Sequence, residues 1–297
     1  MTAQMYRWGR FGVFGLVSAA GSAGAVPVLS DGFEAATHPT GFRTVAAAPG
    51  APFWVTKGSG GTAFLAADGT FASQALTITN TTTATNYPVV APFGGFSTLT
   101  NLGDSINLTF KFRFLNQESA TDSNANFRFG IETSQGTFVT ADGQTSTSDN
   151  DKGFYVQIGD AAQTTNNLFY QENGGATSIL SGSDRDVVSA SSTVPAIADN
   201  AVHTVSFTLT RNASTIGLSL SIDGGTAVTG TSANASIASF DEIAFSNGFA
   251  TTSMNFAIDD VVVTATNFTV PEPATAGLIA LGAVGALARR TRRPATR

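Results

Sequence analysis

Apolar and polar residues alternate strictly along several segments of this chain, and this alternation excludes most folds. In the segment SINLTFKFRF, residues 105–114, the residues Phe110, Phe112 and Phe114 fall on one side, while asparagine, threonine, lysine and arginine fall on the other. A period of two residues is typical of a β-strand with one side against a core and the other toward water. The same pattern predicts further strands that begin near Phe127, Phe154, His203, Ile216, Phe240 and Phe256.

The breaks between these segments are rich in glycine, asparagine and aspartate, which is typical of turns. The segment SIDGGTAV, residues 221–228, contains Asp-Gly-Gly and predicts a hairpin. No stretch within residues 26–270 keeps the period of a helix. We therefore predict one all-β domain over residues 26–269, an antiparallel two-sheet sandwich in which each sheet has one solvated face.

The distribution of charge narrows the classes of partner. Residues 26–270 contain 20 of the 21 acidic residues but only eight of the 15 basic residues, which gives them a net charge of −12. Nucleic-acid binding draws on clustered lysine and arginine, so we expect none. The sequence has no cysteine, which excludes disulfides, thiol catalysis and a Cys-x-x-Cys zinc site.

The first 25 residues predict a helical secretory signal peptide. They combine two arginines, an apolar run from Phe11 to Ala20 and small residues at Ala23 and Ala25. This is the arrangement of a signal peptide with an Ala-x-Ala cleavage site, and we expect cleavage after Ala25. The protein is therefore expected to be exported.

Residues 270–297, VPEPATAGLIALGAVGALARRTRRPATR, form a third region with a composition of its own. After Pro-Glu-Pro, residues 274–288 carry no charge, and an arginine cluster follows them. As a helix with a rise of about 1.5 Å per residue, this stretch spans ~22 Å, which is short of the ~30 Å hydrocarbon core. We predict a short C-terminal transmembrane helix that anchors the protein transiently, with the arginines on the cytoplasmic side.

In this order at the C-terminus, these parts resemble the PEP-CTERM sorting signal of Gram-negative bacteria. The resemblance implies processing by an exosortase, a membrane-bound transpeptidase-like enzyme that would read Pro271, Glu272 and Pro273 and cleave near them. It also implies that the apolar helix holds the protein in the inner membrane before delivery to the cell surface or extracellular matrix. Translocation would be stopped by Arg289, Arg290, Arg292 and Arg293.

The body shows a second resemblance. The segment AVHTVSFTLTRNASTIGLSLSIDGG, residues 201–225, followed by MNFAIDDVVVTA, residues 254–265, resembles the concanavalin-like, laminin-G-type jelly roll. The resemblance implies that LSDGFEA, residues 29–35, pairs beside the last of these strands. Glucanases of that family carry a Glu-x-Asp-x-x-Glu strand motif, which places two carboxylates on one strand face. This motif is absent here, and the five glutamates of the body show no such pairing along the chain.

The two histidines give no sign of a triad hydrolase. His38 lies in an N-terminal loop, and His203 opens a strand. The sequence also has no Gly-x-Ser-x-Gly elbow, so we interpret both as turn or surface residues. We therefore expect no catalytic residue and no enzyme.

We expect no cofactor, but we leave open a structural calcium ion at one of two groups of carboxylates. The loop that contains Asp142, Asp149 and Asp151 lacks the register of a calcium loop, so we interpret it as a solvated acidic loop. A second group joins the first strand to the last, and it consists of Asp31, Glu34, Asp259 and Asp260.

Most aromatic residues are phenylalanines at alternating strand positions, where they predict a core. Sugar-binding platforms favour tryptophan and tyrosine, whose polar tip meets water while the ring stacks. Tyr155 is the best-placed candidate, because it faces away from Phe154 and Val156. The other candidates are Trp54, Tyr87 and Tyr170.

The sequence thus predicts an exported, non-catalytic β-sandwich that acts as a structural or glycan-associating component at the cell surface. Its threonine-, serine- and asparagine-rich strand faces suit the many weak hydrogen bonds that hold an extracellular polysaccharide. Two alternatives stay open. One is a polysaccharide-cleaving hydrolase or lyase on the same sandwich, and the other is a protein adhesion module.

Overall fold

The computed structural model describes residues 25–34, 54–56, 61–71, 74–80, 87–116, 126–138, 150–159, 169–174, 179–180, 185–247 and 255–269. These residues form 16 β-strands and no helix. The first eight strands are β1 (Val26–Asp31), β2 (Val55–Thr56), β3 (Gly61–Ala67), β4 (Gln74–Asn80), β5 (Val89–Thr98), β6 (Ser105–Phe114), β7 (Asn126–Thr133) and β8 (Lys152–Gly159). The others are β9 (Phe169–Glu172), β10 (Arg185–Val188), β11 (His203–Arg211), β12 (Ile216–Ile222), β13 (Val228–Ser232), β14 (Ser239–Asn247), β15 (Phe256–Ala265) and β16 (Phe268–Thr269).

The strands form two antiparallel sheets, which confirms the predicted all-β sandwich. Sheet A has the order β13-β12-β11-β6-β15-β4-β3, and β1 pairs with β15 in it. Sheet B has the order β10-β9-β8-β7-β14-β5-β16, and β2 pairs with β5 in it. Each segment with an alternating pattern is a strand, and the expected pairing of the first strand beside the last long one is confirmed.

The core lies between the sheets and is dominated by phenylalanine. Alternation turns the rings of β6 toward those of sheet B, and Phe110 meets Phe129 and Phe245 edge to face with ring centroids 4.9 and 5.0 Å apart. Such pairs add about 0.5–1.5 kcal/mol beyond the burial of their area. These ring contacts therefore fix the position of one sheet relative to the other.

The predicted hairpin at Asp-Gly-Gly is confirmed and connects β12 to β13. Asp223 and Gly224 both have positive φ, 53° and 67°, as the tight turn between two antiparallel strands requires. Asp223 also caps the neighbouring strand, because its Oδ1 accepts a hydrogen bond of 2.8 Å from the backbone N–H of Thr204.

The two sheets differ in their outer faces, and the prediction of one solvated face per sheet is wrong for sheet B. In sheet A the outward side chains of β6, β11 and β12 are partly or fully exposed to solvent. In sheet B all residues of β7 and β9 are buried, on both faces. The physical reason is that further chain covers the outer face of sheet B, which alternation within a strand does not report.

The two terminal predictions lie outside the described residues, namely the helix of the signal peptide with Ala23 and the helix of residues 274–288. Among the residues that the structure describes, no helix is long and apolar enough to cross a membrane. Ala25 is described and exposed, and β1 begins directly after it at Val26.

Candidate functional site

Part of the outer surface of sheet A consists mainly of small hydroxylated side chains in register. Cross-strand pairing aligns the outward residues of β13, β12, β11, β6 and β15 in three rows, which we call the hydroxyl face. The first row is Thr229, Ser219, Thr208, Asn107 and Thr264; the second is Ser221, Ser206, Thr109 and Val262; the third is Thr231, Gly217, Thr210 and Ser105. No residue of these rows carries an ionisable side chain.

Asn107 orders the centre of the hydroxyl face. Its Nδ2 donates hydrogen bonds to Oγ of Ser206 at 2.9 Å and to Oγ1 of Thr208 at 2.7 Å. Neighbouring strands lie about 4.8 Å apart, so five strands present a surface roughly 20 Å wide. The result is a regular, uncharged array of hydrogen-bonding groups that can follow an extended polymer.

The carboxylates of the group that joins the first strand to the last come together at a bulge in β15, beside one end of the hydroxyl face. A Cβ on Gly32 would lie 3.6 Å from Oδ1 of Asp260 and 4.0 Å from Cγ of Glu34. Burial, together with the negative charges of Asp260 and Glu34, raises the pKa of Asp259 to about 6 against the hydrogen bond from the backbone N–H of Asp260.

Two of these carboxylates are already engaged by the protein. Asp31 accepts hydrogen bonds from Nε1 of Trp54 at 2.7 Å and from the backbone N–H of Phe33 at 2.8 Å. Asp260 pairs with Nζ of Lys111 at 2.7 Å. Within the described ranges, no group of three or more histidine or carboxylate side chains is placed to hold a metal ion. The expectation of no cofactor, with a structural calcium ion left open, stays a prediction.

Tyr155 points outward from β8, as its position opposite Phe154 predicts, but the prediction of an exposed stacking ring is wrong. The side chain is 0% exposed. Its ring stacks on Tyr170 with centroids 4.9 Å apart, and its hydroxyl accepts a hydrogen bond of 3.2 Å from Nη1 of Arg185. Burial raises the pKa of Tyr155 to about 12. A sugar cannot stack on this ring in the present structure.

Leu180 covers this part of sheet B and is held by two charged side chains. Its backbone N–H donates to Oε2 of Glu172 at 2.8 Å, and its carbonyl accepts from Nη1 of Arg128 at 3.0 Å. The residue has a φ of 58°, which is unusual for leucine. Gly130 makes the close approach feasible, because a Cβ there would lie 2.7 Å from Cδ2 of Leu180.

Three glutamates lie in one cross-strand row on the same covered face. Glu242 of β14 is opposite Glu132 of β7, which is opposite Gly153 of β8, which in turn is opposite Glu172 of β9. Each of the three glutamates is at most 1% exposed. Sequence reasoning missed this row because it is formed by pairing between distant strands and not by spacing along one strand.

A groove of about 350 Å³ opens where the edges of the two sheets meet, between β10 and β13. The edges are tied by a bridge between Ala190 and Gly230 and by the N–H of Ser191, which donates to the carbonyl of Thr229 at 2.6 Å. Beyond the bridge they part. The polar residues that line the groove are Gln171, Asp186, Ser189, Thr231, Ser232 and Asn234.

The other predicted residues are scattered relative to these surfaces. His203 binds two aspartates on the surface and is not in the groove. Asp151 is buried, whereas its predicted partners Asp142 and Asp149 lie outside the described residues. The same holds for His38 and for the sorting residues Pro271, Glu272, Pro273, Arg289, Arg290, Arg292 and Arg293.

The described sandwich ends at Thr269, and the C-terminal address begins there, so the molecule is an exported β-sandwich protein that carries a sorting signal. That signal is the PEP-CTERM protein-sorting motif, which residues 269–293 match, and the resemblance seen in the sequence is confirmed. The motif implies processing by an exosortase. It indicates export, transient anchoring in the membrane and delivery to the surface or the extracellular space.

Solved structures with similar folds include enzymes and lectins. A carbohydrate esterase from the Shiga toxin-encoding bacteriophage phi24B is 18% identical and has a TM-score of 0.46, over 82% of this chain and 99% of that one. Peanut lectin is 10% identical with a TM-score of 0.45, over 77% and 96%. A Bacillus subtilis protein of unknown function with a galectin-like fold is 12% identical with a TM-score of 0.43, over 71% and 90%. At these values the likeness carries no argument about function, and no curated protein matches the sequence.

Proposed function

We propose that the sandwich is a non-catalytic component of the cell surface or extracellular matrix that associates with neutral polysaccharide through the hydroxyl face. The observation that carries this proposal is the three-row array of uncharged side chains across five strands of sheet A. A neutral glycan presents hydroxyl groups along its whole length, so donors and acceptors can be exchanged at many points. A charged polymer would find no counter-ion among these rows.

Binding to such a surface depends on many weak contacts along one polymer and not on a single strong contact. One neutral hydrogen bond contributes about 0.5–1.5 kcal/mol net, because each replaces a bond to water. The strands already hold the side chains in place, and Asn107 links two of them, so little side-chain entropy is lost on binding. Many such contacts along a polymer retain a protein without enclosing the ligand.

The test is affinity electrophoresis of the exported protein in gels that contain neutral or acidic polysaccharides. We expect retardation by at least one neutral polymer without release of reducing ends. The combined variant Thr109→Val, Thr208→Val and Thr264→Val should weaken retention about tenfold, because three hydroxyl groups are lost. Thr62→Val on β3, outside the three rows, is the matched control and should bind normally. Failure of every neutral polymer to retard the wild type would refute the proposal.

A second candidate function rests on the covered face of sheet B. Glu132 and Glu242 lie directly opposite each other, and a pair of carboxylates is the machinery of glycoside hydrolysis. Tyr155 lies in the next outward row, and Arg128 lies in the row after that. A polysaccharide would reach these groups only after displacement of Leu180. Release of reducing ends that is lost in Glu132→Gln but kept in Glu34→Gln would replace the binding proposal with this one.

The adhesion alternative would need an exposed apolar patch. The large apolar side chains that are exposed in the described part of the chain belong to separate segments; they are Val26, Phe64, Phe96, Leu102, Phe138 and Val187. A few exposed apolar side chains are ordinary on a protein surface. We therefore prefer the glycan-associating function.

A further inference from the structure

The floor of the edge groove is a chain of hydrogen bonds with one direction. The N–H of Asn234 donates to Oγ of Ser232, whose hydroxyl donates to Oε1 of Gln171. Nε2 of Gln171 donates to Oδ1 of Asn173, and Nδ2 of Asn173 donates to Oδ2 of Asp186 at 2.9 Å. Each hydrogen bond fixes the orientation of the next side-chain amide. The amide of Asn173 therefore donates to the carboxylate of Asp186 in one orientation.

This floor is rigid because its central members are buried. Gln171 is 4% exposed and Ser232 is 5% exposed. Gly230 lets β13 approach β9 and β10 closely, since a Cβ there would lie 2.8 Å from Cδ2 of Phe169 and 3.2 Å from Cγ1 of Val188. The groove is therefore shaped by the closure of the sandwich edge and not by mobile surface side chains.

The rim of the groove carries polar groups that the described residues leave unused. Oδ1 of Asp186, Oγ1 of Thr231 and Oγ of Ser189 make no hydrogen bond within the described part of the chain. Val187 lies beside them with 58% of its surface exposed. A carboxylate acceptor, two hydroxyl groups and one apolar surface thus converge on a volume of about 350 Å³, which is at the lower end of small-ligand sites.

These groups match the chemistry of an uncharged sugar unit. A carboxylate accepts strong hydrogen bonds from O–H donors, and two adjacent hydroxyl groups of a sugar can supply them. The C–H side of a sugar ring suits the exposed methyl groups of Val187. A uronic acid would instead place its negative charge near Asp186, and like charges repel.

We propose that the edge groove is a second glycan subsite that binds a single neutral sugar unit, at a chain end or a branch, and that Asp186 makes it reject uronic acids. The inference rests on the proposed glycan association and adds to it a separate site and a selectivity. The hydroxyl face binds along the length of a polymer, whereas the groove binds a single sugar unit of it.

The experiment measures binding of short soluble oligosaccharides to the exported protein by titration calorimetry, with neutral and uronic-acid oligosaccharides of equal length. The wild type should bind a neutral oligosaccharide at least tenfold more tightly than the uronic one. Asp186→Asn keeps an acceptor for Asn173 but removes the charge. It should weaken binding of the neutral ligand about tenfold or more and narrow the difference between the two ligands.

Two hydroxyl variants separate the groove from the hydroxyl face. Ser189→Ala removes a hydroxyl at the rim of the groove, outside the three rows, and should weaken oligosaccharide binding several-fold. Thr62→Val on β3, outside both the groove and the three rows, should leave it unchanged. Equal binding of both oligosaccharides by the wild type, or an unchanged Kd in Asp186→Asn, would overturn the groove proposal. Polymer retention that persists in that case leaves the hydroxyl face intact, so the two proposals can fail separately.

Discussion

His203 joins two separate turns through its imidazole ring. Nδ1 lies 2.7 Å from Oδ2 of Asp223, and Nε2 lies 2.9 Å from Oδ1 of Asp199. Desolvation lowers the pKa of His203, but the hydrogen bonds to both aspartates and their charges outweigh it, so the pKa lies above its ordinary value of 6.5. The cations nearest to the ring along β6 are Lys111 and Arg113, which flank Phe112, the residue opposite His203. The protonated ring is therefore a clamp between the start of β11 and the β12–β13 turn.

Replacing this clamp should change how stability depends on pH. Because the folded pKa is raised, the stabilisation is complete below the ordinary histidine pKa and is lost as the pH rises through the folded value. Compared with His203→Gln, the wild type should unfold at higher urea concentration at about pH 5, with an advantage on the order of 1 kcal/mol or less for so exposed an ion pair. This advantage should shrink toward about pH 9. A difference that does not vary with pH would contradict the clamp.

Replacing Asp259 is expected to stabilise the protein, whereas replacing His203 is expected to destabilise it. Its pKa is raised to about 6 by burial, so ionisation at neutral pH costs stability, and the cost disappears once the pH falls below the ordinary value of 3.8. Asp259→Asn should therefore raise the urea midpoint at about pH 8 and leave it unchanged at about pH 4. Asp260→Asn is the control, since it removes the ion pair with Lys111 and should not stabilise the protein. Destabilisation by Asp259→Asn at the higher pH would indicate a bound cation or a missed contact.

Alternation along β6 gives the sharpest test of how a strand is built. Phe110 is buried against sheet B, whereas Thr109 faces outward and donates only a long hydrogen bond of 3.4 Å to the carbonyl of Val262. Phe110→Asp should abolish cooperative unfolding, because an unpaired buried carboxylate costs several kcal/mol, about as much as a domain of this size has to lose. Thr109→Asp, one residue away, should fold with nearly normal stability. Circular dichroism during a urea titration distinguishes the two, and similar behaviour of both variants would mean that the register is wrong.

The strands could be predicted because each carries its own pattern. Phe127, Phe129 and Ile131 face the core in β7, and the residues between them face outward, as alternation requires. Alternation does not report what covers the outward side. Leu180 covers sheet B from a segment without periodicity, in a backbone conformation that leucine seldom adopts. The burial of Tyr155 therefore could not be deduced from β8 alone.

The groove and the glutamate row escaped prediction for a related reason. Gln171, Asp186 and Thr231 belong to three different strands and meet only because β10 and β13 close one edge of the sandwich. Glu132 and Glu242 meet through the pairing of β7 with β14. Neither set has a spacing along the chain that points to a site. The hydroxyl face is different, since its threonines and serines alternate with core residues and were foreseen as a solvated surface.

Along the chain, the C-terminal sorting motif is separate from the folded β-sandwich. β1 starts at Val26 and pairs with β15, and the sorting motif starts at Thr269, where the described strands end. Cleavage near the Pro-Glu-Pro sequence would therefore leave every described strand in place. Sorting and folding can proceed independently because they use different parts of the chain.

This separation predicts that the tail is removed in the producing cell without loss of stability. Mass spectrometry of the surface-exposed protein should find a C-terminus between Pro271 and Pro273, and this form should melt at the same temperature as the intact chain. Replacing Pro271, Glu272 and Pro273 with alanine should keep the tail and leave the protein in the membrane fraction. Alanine at Pro294, outside the matched residues 269–293, is the control and should be processed normally. Recovery of Arg297 from the surface form would show that the motif is not cleaved there.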